Sequence, residues 1–453
     1  MIGLFAAFLL APLVSLAFGG FDELAERRLS TQDFEPVAFA GHSDEYRSTL
    51  LREAITGSVM GAATIKWRSE VDEELLGVGG RAGVLEGREG WLFSRDQFDG
   101  GLCRNESQAA LAMRTLAAMA EIAKGAELEF IFSVSPDKVL VHPEKLTWRQ
   151  AAYAECKQQN ARQWREIAAR LGVPMLDHLD ALRGPPSPPR FFATDTHWNA
   201  YGATIAFEGL RAHFLGAREW SPKLALGDTA VRDLMRNLRL DDEEPDLVPT
   251  NAPPIGEQVS GRTVIVHDSF YREFHERMLE LFASPHGHDM NIGGTDADAL
   301  AGALTPDTSR LVVNSVERLL FSRFEREDRP FTWTGMLGRA LLAYNVAAAR
   351  DCAFEQGDSV AVGAGRTAAL QLLEAPNGVR PCIQVESEGA VRIELPVPDD
   401  GTVAADWDYP VELAEPTGGV ALVFPEHLSG REVRVTSTTG AATTASIGLL
   451  EGD

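Results

Sequence analysis

The sequence predicts an α/β protein: a mostly parallel sheet covered on both faces by helices, followed by a smaller all-β domain. Three observations carry this. Short, continuous apolar runs at 129–134, 263–266 and 311–316 alternate with longer stretches of helical periodicity, as parallel strands between crossover helices do. The character changes near Pro330, beyond which there is no Lys and short apolar–polar runs are divided by Gly, Pro and Asp. A length of 453 residues accommodates one large domain and one small one.

Residues 1–20 carry no charged side chain, and the first is Asp22. Such a run either just spans a bilayer as a helix or is a signal peptide, with Ala17 and Gly19 as small residues before a cut after Gly19. No Lys or Arg precedes it to set an orientation. The expectation is export, cleaved or anchored; a buried core helix is the plain alternative.

Residues 21–330 are expected to form the α/β domain. Residues 21–90 read as helical and irregular, and GREGWLF (Gly87 to Phe93) reads as a turn into a short apolar segment. Leu111, Met113, Leu116, Met119 and Ile122 share one face of a helix expected over 105–124. A strand follows at 129–134, a helix at 151–171 and a short strand at 173–176. The third strand, 263–266, runs into a helix carrying Phe270, Phe274, Met278, Leu281 and Phe282, and the fourth is 311–316. Residues 331–453 are expected to form a β-sandwich, with strands at 391–395, 420–424 and 433–436.

Hydrophobic residues make up 45% and charged residues 24%, ample for a core and incompatible with disorder as the main state. The net charge of −24 divides into −10 for residues 331–453 and −14 for the rest. Neither part is a basic arm, which excludes sequence-independent nucleic-acid binding. Four cysteines (Cys103, Cys156, Cys352, Cys382) form no C-x-x-C pair, against a zinc ribbon or thioredoxin motif. After an export signal their clustering favours Cys103–Cys156 and Cys352–Cys382 disulfides; four buried thiols are the alternative.

Two clusters can carry chemistry. In FFATDTHWNAYGA (Phe191 to Ala203), Asp195 and His197 stand two apart in a polar stretch before a helix. A carboxylate beside an imidazole fixes its tautomer and stabilises the imidazolium. In TVIVHDSFYREF (Thr263 to Phe274), Ser269 sits where a strand gives way to a helix, the edge at which open α/β sheets place their sites. Singly, the first cluster reads equally as a solvated loop and Ser269 as a helix N-cap. Together they supply Ser, His and Asp for acyl transfer through a serine ester. No G-x-S-x-G elbow occurs, against an ordinary α/β-hydrolase.

Other candidates carry less. His286, His288 and Asp289 lack a third well-placed partner for a metal and read as a surface loop. Lys138, after a strand end, lines the same crevice as a substrate contact or is solvated, and Trp198, inside the first cluster, is a candidate substrate contact. Trp407 and Tyr409 suit stacking on a sugar ring, or packing. Glu317 and Arg318 read as a local ion pair after a strand.

The order GREGWLF, VSPDK…HPEKL, TDTHWN, HDSF and VNSVERLL resembles the alginate O-acetyltransferase family (AlgX/AlgJ-type), over about residues 60–325. That resemblance implies an SGNH-hydrolase-like domain with Ser269 as nucleophile, His197 as general base and Asp195 orienting it. Arg272 becomes a substrate contact. The glycine that often precedes the Asp–Ser pair is His267 here. The resemblance further implies a periplasmic polysaccharide O-acetyltransferase that needs no cofactor or metal. Its acetyl donor would come from a membrane-bound acyltransferase partner within an export complex. Residues 331–453 would be a carbohydrate-binding module. An acetylesterase of the same fold and a non-catalytic polysaccharide-binding scaffold are the alternatives.

Overall fold

A computed structural model of the chain describes residues 83–98, 106–185, 187–238, 240–252, 254–272, 274–289, 297–324, 333–349, 352–362, 366–374, 379–387, 391–396, 408–413, 420–428, 431–437 and 443–451. The N-terminal apolar run, Cys103 and Trp407 lie outside them. Among the described residues no helix is long and apolar enough to cross a membrane.

The described chain begins with a small hairpin, β1 (Val84–Glu86) with β2 (Leu92–Ser94), joined by the turn of the GREGW block. Helix α1 (Glu106–Gly125) follows, burying Met113, Leu116, Met119 and Ile122. Strand β3 (Glu129–Ser135) leads through a helical turn to α2 (Trp148–Arg170). The Thr147 hydroxyl accepts from the Gln150 N–H while the Gln150 side chain accepts from the Thr147 N–H. This capping box, worth about 1 kcal/mol, starts the helix three residues before the apolar periodicity does. Then come β4 (Met175–Asp177), α3 (Ala200–Leu215), β5 (Leu224–Val231), α4 (Asp233–Leu238) and β6 (Glu243–Pro249). Next are β7 (Val259–His267), α5 (His275–Leu281), β8 (Phe282–Asp289), α6 (Ala297–Ala303) and β9 (Thr308–Val316).

Five of these strands form one parallel sheet in the order β4-β3-β9-β7-β8. Its faces separate by the two-residue period of a strand. Phe130, Phe132, Val134, Val264, Val266, Leu311 and Val313 join one core with α1 and part of α2. Ile131, Ile265, Val312 and Val316 join the other, with Phe207 and Leu210 of α3 and Met278 of α5. Both faces are covered, which is why the middles of these strands read as mostly apolar runs rather than as an alternation.

The segment after β7 differs from the expected single helix. Ser269–Arg272 make one helical turn, α5 begins afresh at His275, and Phe282 opens the edge strand β8. The 286–289 stretch is therefore strand and not loop; His286 is exposed there.

The first part of the stretch expected to be all-β is helical: α7 (Trp333–Ala348) packs against α1 and α6. Beyond it, two four-stranded antiparallel sheets occur. One has the order β10-β17-β12-β15 (Ala353–Val362, Thr443–Glu451, Val379–Ser387, Val420–Val423). The other has β11-β16-β13-β14 (Thr367–Gln371, Glu432–Ser437, Val391–Pro396, Asp408–Leu413). Ile383, Val385 and Leu422 of the first meet Leu370, Val433 and Val435 of the second in a core continuous with that of α1 and α7. Asn345 of α7 fixes this junction. Its Nδ2 donates to the carbonyls of Ile122 (2.8 Å) and Val423 (2.9 Å), and its Oδ1 accepts from Val423 N–H (2.8 Å). Asn345→Ala would strand these buried groups and is expected to cost on the order of 2–3 kcal/mol in urea unfolding. A loss below ~0.5 kcal/mol would mean the junction does not depend on it.

The expected Cys352–Cys382 disulfide is absent: both are free thiols in hydrogen-bond contact, and that contact, with burial, pushes the Cys382 thiol well above its ordinary range. Cys156 is disulfide-bonded.

Candidate active site

The carboxyl edge of the parallel sheet brings together blocks far apart in sequence. At the end of β7 the buried Asp268 does not face the crevice; it locks the turn. Its Oδ1 accepts from Phe270 N–H (3.1 Å), and its Oδ2 accepts from Val316 N–H (2.7 Å) and Arg323 (2.8 Å). Tyr271 is buried behind this turn, with its hydroxyl 3.1 Å from His178 Nε2 and against Ser133 of β3. Burial pulls the His178 imidazole down to about 4, so it is neutral there. Ser269 is thus left half-buried on a turn pinned from three sides.

The second block, 191–199, is an irregular loop closed by an isolated bridge between Phe191 and Trp198. Asn199 ends it, its side chain accepting from Gly202 N–H (2.9 Å) as N-cap of α3. Gly202 has no substitute: a Cβ there would overlap the Arg190 carbonyl oxygen. Gly202→Ala is expected to shift the start of α3 and lower the thermal midpoint by several degrees, about what 1–3 kcal/mol of overpacking does; an unchanged melt would refute the close approach. Trp198 is wholly buried, its Nε1–H donating to Phe270 O (3.0 Å). It ties the two blocks together and is not open to substrate, contrary to its expected role.

Between the blocks, His197 Nε2 lies 2.8 Å from Ser269 Oγ, and His197 Nδ1 lies 2.7 Å from Asp195 Oδ1. Asp195 Oδ1 also accepts from His197 N–H at 3.0 Å. Burial pushes the Asp195 carboxyl up, but hydrogen bonds and charge from His197 outweigh it and hold the group well below the carboxylate range. Burial pulls His197 down, yet Asp195 and then Asp233 hold it above its ordinary 6.5. An ionised carboxylate, an oriented imidazole and a hydroxyl form a continuous proton relay, the arrangement that makes a serine hydroxyl nucleophilic.

Asp195, His197 and Asp233 also place potential ligand atoms within 4.8 Å of one another. Each of the four carboxylate oxygens accepts a hydrogen bond. Asp195 accepts from His197 and Asp233 N–H, and Asp233 accepts from the Thr196 N–H and hydroxyl.

The remaining expected residues fall differently. Lys138 is fully buried, lying over the rings of Trp91 and Phe93, so it neither lines the crevice nor meets solvent. Arg272 is exposed at the end of the Ser269 turn. Tyr409 belongs to β14, where it pairs with Leu395. Glu317 and Arg318 are not paired with each other. Glu317 accepts from Trp164 Nε1–H (3.1 Å), and Arg318 bonds Asp137 (2.7 Å) and Asp96 (3.0 Å) with its guanidinium over Phe270. Asp233 and Glu244, absent from the sequence reading, reach the Asp195–His197 loop from the β5–β6 hairpin region, and no local pattern marks them.

A family model described as the SGNH hydrolase-like domain of acetyltransferase AlgX matches residues 84–233, a stretch that includes Asp195 and His197 and stops short of Ser269. Over 136 residues the chain is 27% identical to a probable alginate O-acetylase AlgJ of Azotobacter vinelandii, covering 30% of this chain and 34% of that protein. The corresponding Pseudomonas syringae pv. tomato protein is 26% identical over 136 residues, with 29% and 34% covered. The match therefore spans about a third of the length of these curated relatives. The Pseudomonas aeruginosa AlgX structure overlaps 80% of this chain and 94% of its own at 13% identity and a TM-score of 0.39. Residues 84–233 are thus similar to the SGNH hydrolase-like domain of acetyltransferase AlgX, and about 30% of the chain is similar to AlgJ-type alginate O-acetylases.

Proposed function

We propose that the chain O-acetylates an exported polysaccharide through an acetyl-Ser269 intermediate. The observation that carries this reading is the relay from Asp195 through His197 to the Ser269 hydroxyl at the carboxyl edge of the sheet. Ser269 Oγ attacks the carbonyl carbon of an acetyl donor while His197 Nε2 takes its proton, and Asp195 stabilises the imidazolium. The donor's leaving group departs with that proton. A sugar hydroxyl then attacks the acetyl-serine, His197 accepts its proton, and the proton returns to Ser269 as the sugar ester leaves. A membrane acyltransferase partner as donor, an export complex and a periplasmic location, cleaved or anchored, belong to the same proposal. It draws on the similarity of residues 84–233 to the AlgX domain, on the likeness to AlgJ-type proteins, and on the apolar run at 1–20.

The identity of the polymer meets a physical constraint. A net charge of −24 repels a polyuronate at long range, so an acidic acceptor requires local cations such as the exposed Arg272, or high salt. A neutral polymer requires neither.

Mass spectrometry of the protein incubated with an aryl acetate and a panel of oligosaccharides tests the proposal. The expected result is an acetyl group on Ser269 that decays as acetylated oligosaccharide appears. Free acetate with no acetylated sugar identifies an esterase instead. Absence of both adduct and turnover, with sugar binding retained, identifies a scaffold.

The pH profile follows from the geometry. His197 must be neutral to accept the proton, and its pKa is raised. The working form is lost as pH falls through that raised value, so the acid limb of kcat/KM is expected to have its midpoint above 6.5. A midpoint at or below that value would contradict the Asp195–His197 pairing.

A further inference from the structure

The loop that holds Asp195 and His197 is gripped from both sides by charge. On one side the buried Lys138 ammonium donates to the carbonyls of Phe192 (3.0 Å), Ala193 (3.1 Å) and Asp195 (2.6 Å). On the other, Glu244 accepts from Ala193 N–H (2.7 Å), Thr194 N–H (2.8 Å) and the Thr194 hydroxyl (2.5 Å). Asp233 accepts from Thr196 N–H (2.9 Å) and the Thr196 hydroxyl (2.5 Å), and its own N–H donates to Asp195 Oδ2 (3.2 Å). Leu234 N–H closes the contact on Thr194 O (3.2 Å). The carbonyls of 192, 193 and 195 thus point at a cation, and the N–H groups of 193, 194 and 196 at two anions. An irregular loop has no ladder of its own to satisfy these groups, and buried backbone groups must be paired. The charged partners supply that pairing and are stronger for being charged.

We propose that Asp233 is a positioning residue for the Asp195–His197 pair, and that Asp233, Glu244 and Lys138 form a charge clamp that holds the loop in its working geometry. Asp233 also stands 3.9 Å from His197 Nδ1, so its carboxylate biases the imidazole as well as the loop. The groups acting on His197 are Asp195 and Asp233, which favour its charged form, and burial and Arg318, which oppose it. Lys138 is under comparable tension. Burial draws its ammonium down to about 7, against the pull of Asp195, Asp233 and Glu244.

This inference rests on the acyl-transfer reading for its kinetic consequence and not for its geometry, so the test reads both. His197 is titrated by NMR, and aryl-acetate turnover is measured, in the wild type, Asp233→Asn and Asp228→Asn. Asp228 is exposed on the same hairpin and makes the charge control. The Asn variant keeps an acceptor for Thr196 N–H but loses the charge. The expected result is a His197 midpoint clearly lower in Asp233→Asn and unmoved in Asp228→Asn. With it goes a kcat lower by on the order of 10–100-fold at nearly constant KM, as misplacement of a reacting group produces. A His197 midpoint that does not move in Asp233→Asn overturns the clamp whatever the activity. An inactive wild type whose His197 midpoint still shifts in the variant overturns the functional reading and leaves the clamp supported.

Discussion

Ser269→Ala is expected to reduce aryl-acetate turnover by on the order of 10⁵–10⁶-fold, with the circular dichroism spectrum and thermal midpoint close to wild type. The loss is large because the hydroxyl is the atom toward which the whole relay is directed, 2.8 Å from His197 Nε2. The fold is spared because the turn does not depend on it. Asp268 takes the Phe270 and Val316 N–H groups, and Trp198 takes the Phe270 carbonyl. His197→Ala is expected to cost a similar factor, and the double variant little more, since residues of one relay are not additive. Turnover within tenfold of wild type in Ser269→Ala would end the acetyl-serine proposal.

The largest effect on stability is expected at Asp137, two residues beyond the end of β3. Its side chain is fully buried between Lys157 and Arg318, with Arg318 at 2.7 Å. Burial pushes the carboxyl up, but the two cations outweigh it and hold it below its ordinary value. Asp137→Ala would leave two cations facing each other with no anion between them, a change expected to cost about 3–5 kcal/mol in urea unfolding. It would also free Arg318 from its place over Phe270, beside His197. The pH dependence has a definite sign. A depressed carboxyl contributes stability above its unfolded value near 3.9 that is lost as pH falls through the folded value. Wild-type protein should therefore lose stability on acidification from about pH 5 downward more steeply than Asp137→Ala. A loss under ~1 kcal/mol in the variant, or parallel acid profiles, would show that Lys157 and Arg318 find other partners.

What was legible in the sequence follows periodicity and blocks. The strands read at 129–134, 263–266 and 311–316 were recognisable because the middles of β3, β7 and β9 are buried on both faces and are mostly apolar. Helix α1 was legible from its apolar spacing. Helix starts set by side chains were not: the Thr147–Gln150 box begins α2 three residues early. The break between Arg272 and His275 was hidden because both halves keep helical spacing on the same core. Helix α7 went unread since its apolar residues serve two domains at once, packing on α1 and sharing a core with the β-sheets.

The sequence alone pointed to the order of the parallel strands and to the trio Asp195, His197 and Ser269, because Asp195 and His197 stand in a short polar block just before a helix and Ser269 just after a strand. Only the tertiary structure decided what holds them. Lys138, expected in the crevice, is buried beneath the loop; Trp198, expected at substrate, ties that loop to the Ser269 turn. Asp233 and Glu244 come from 37 or more positions beyond the residues they grip, so no local pattern can announce them. The physical reason is general: periodicity records which face of an element meets a core, whereas a carboxylate reaching a distant backbone N–H leaves no period at all.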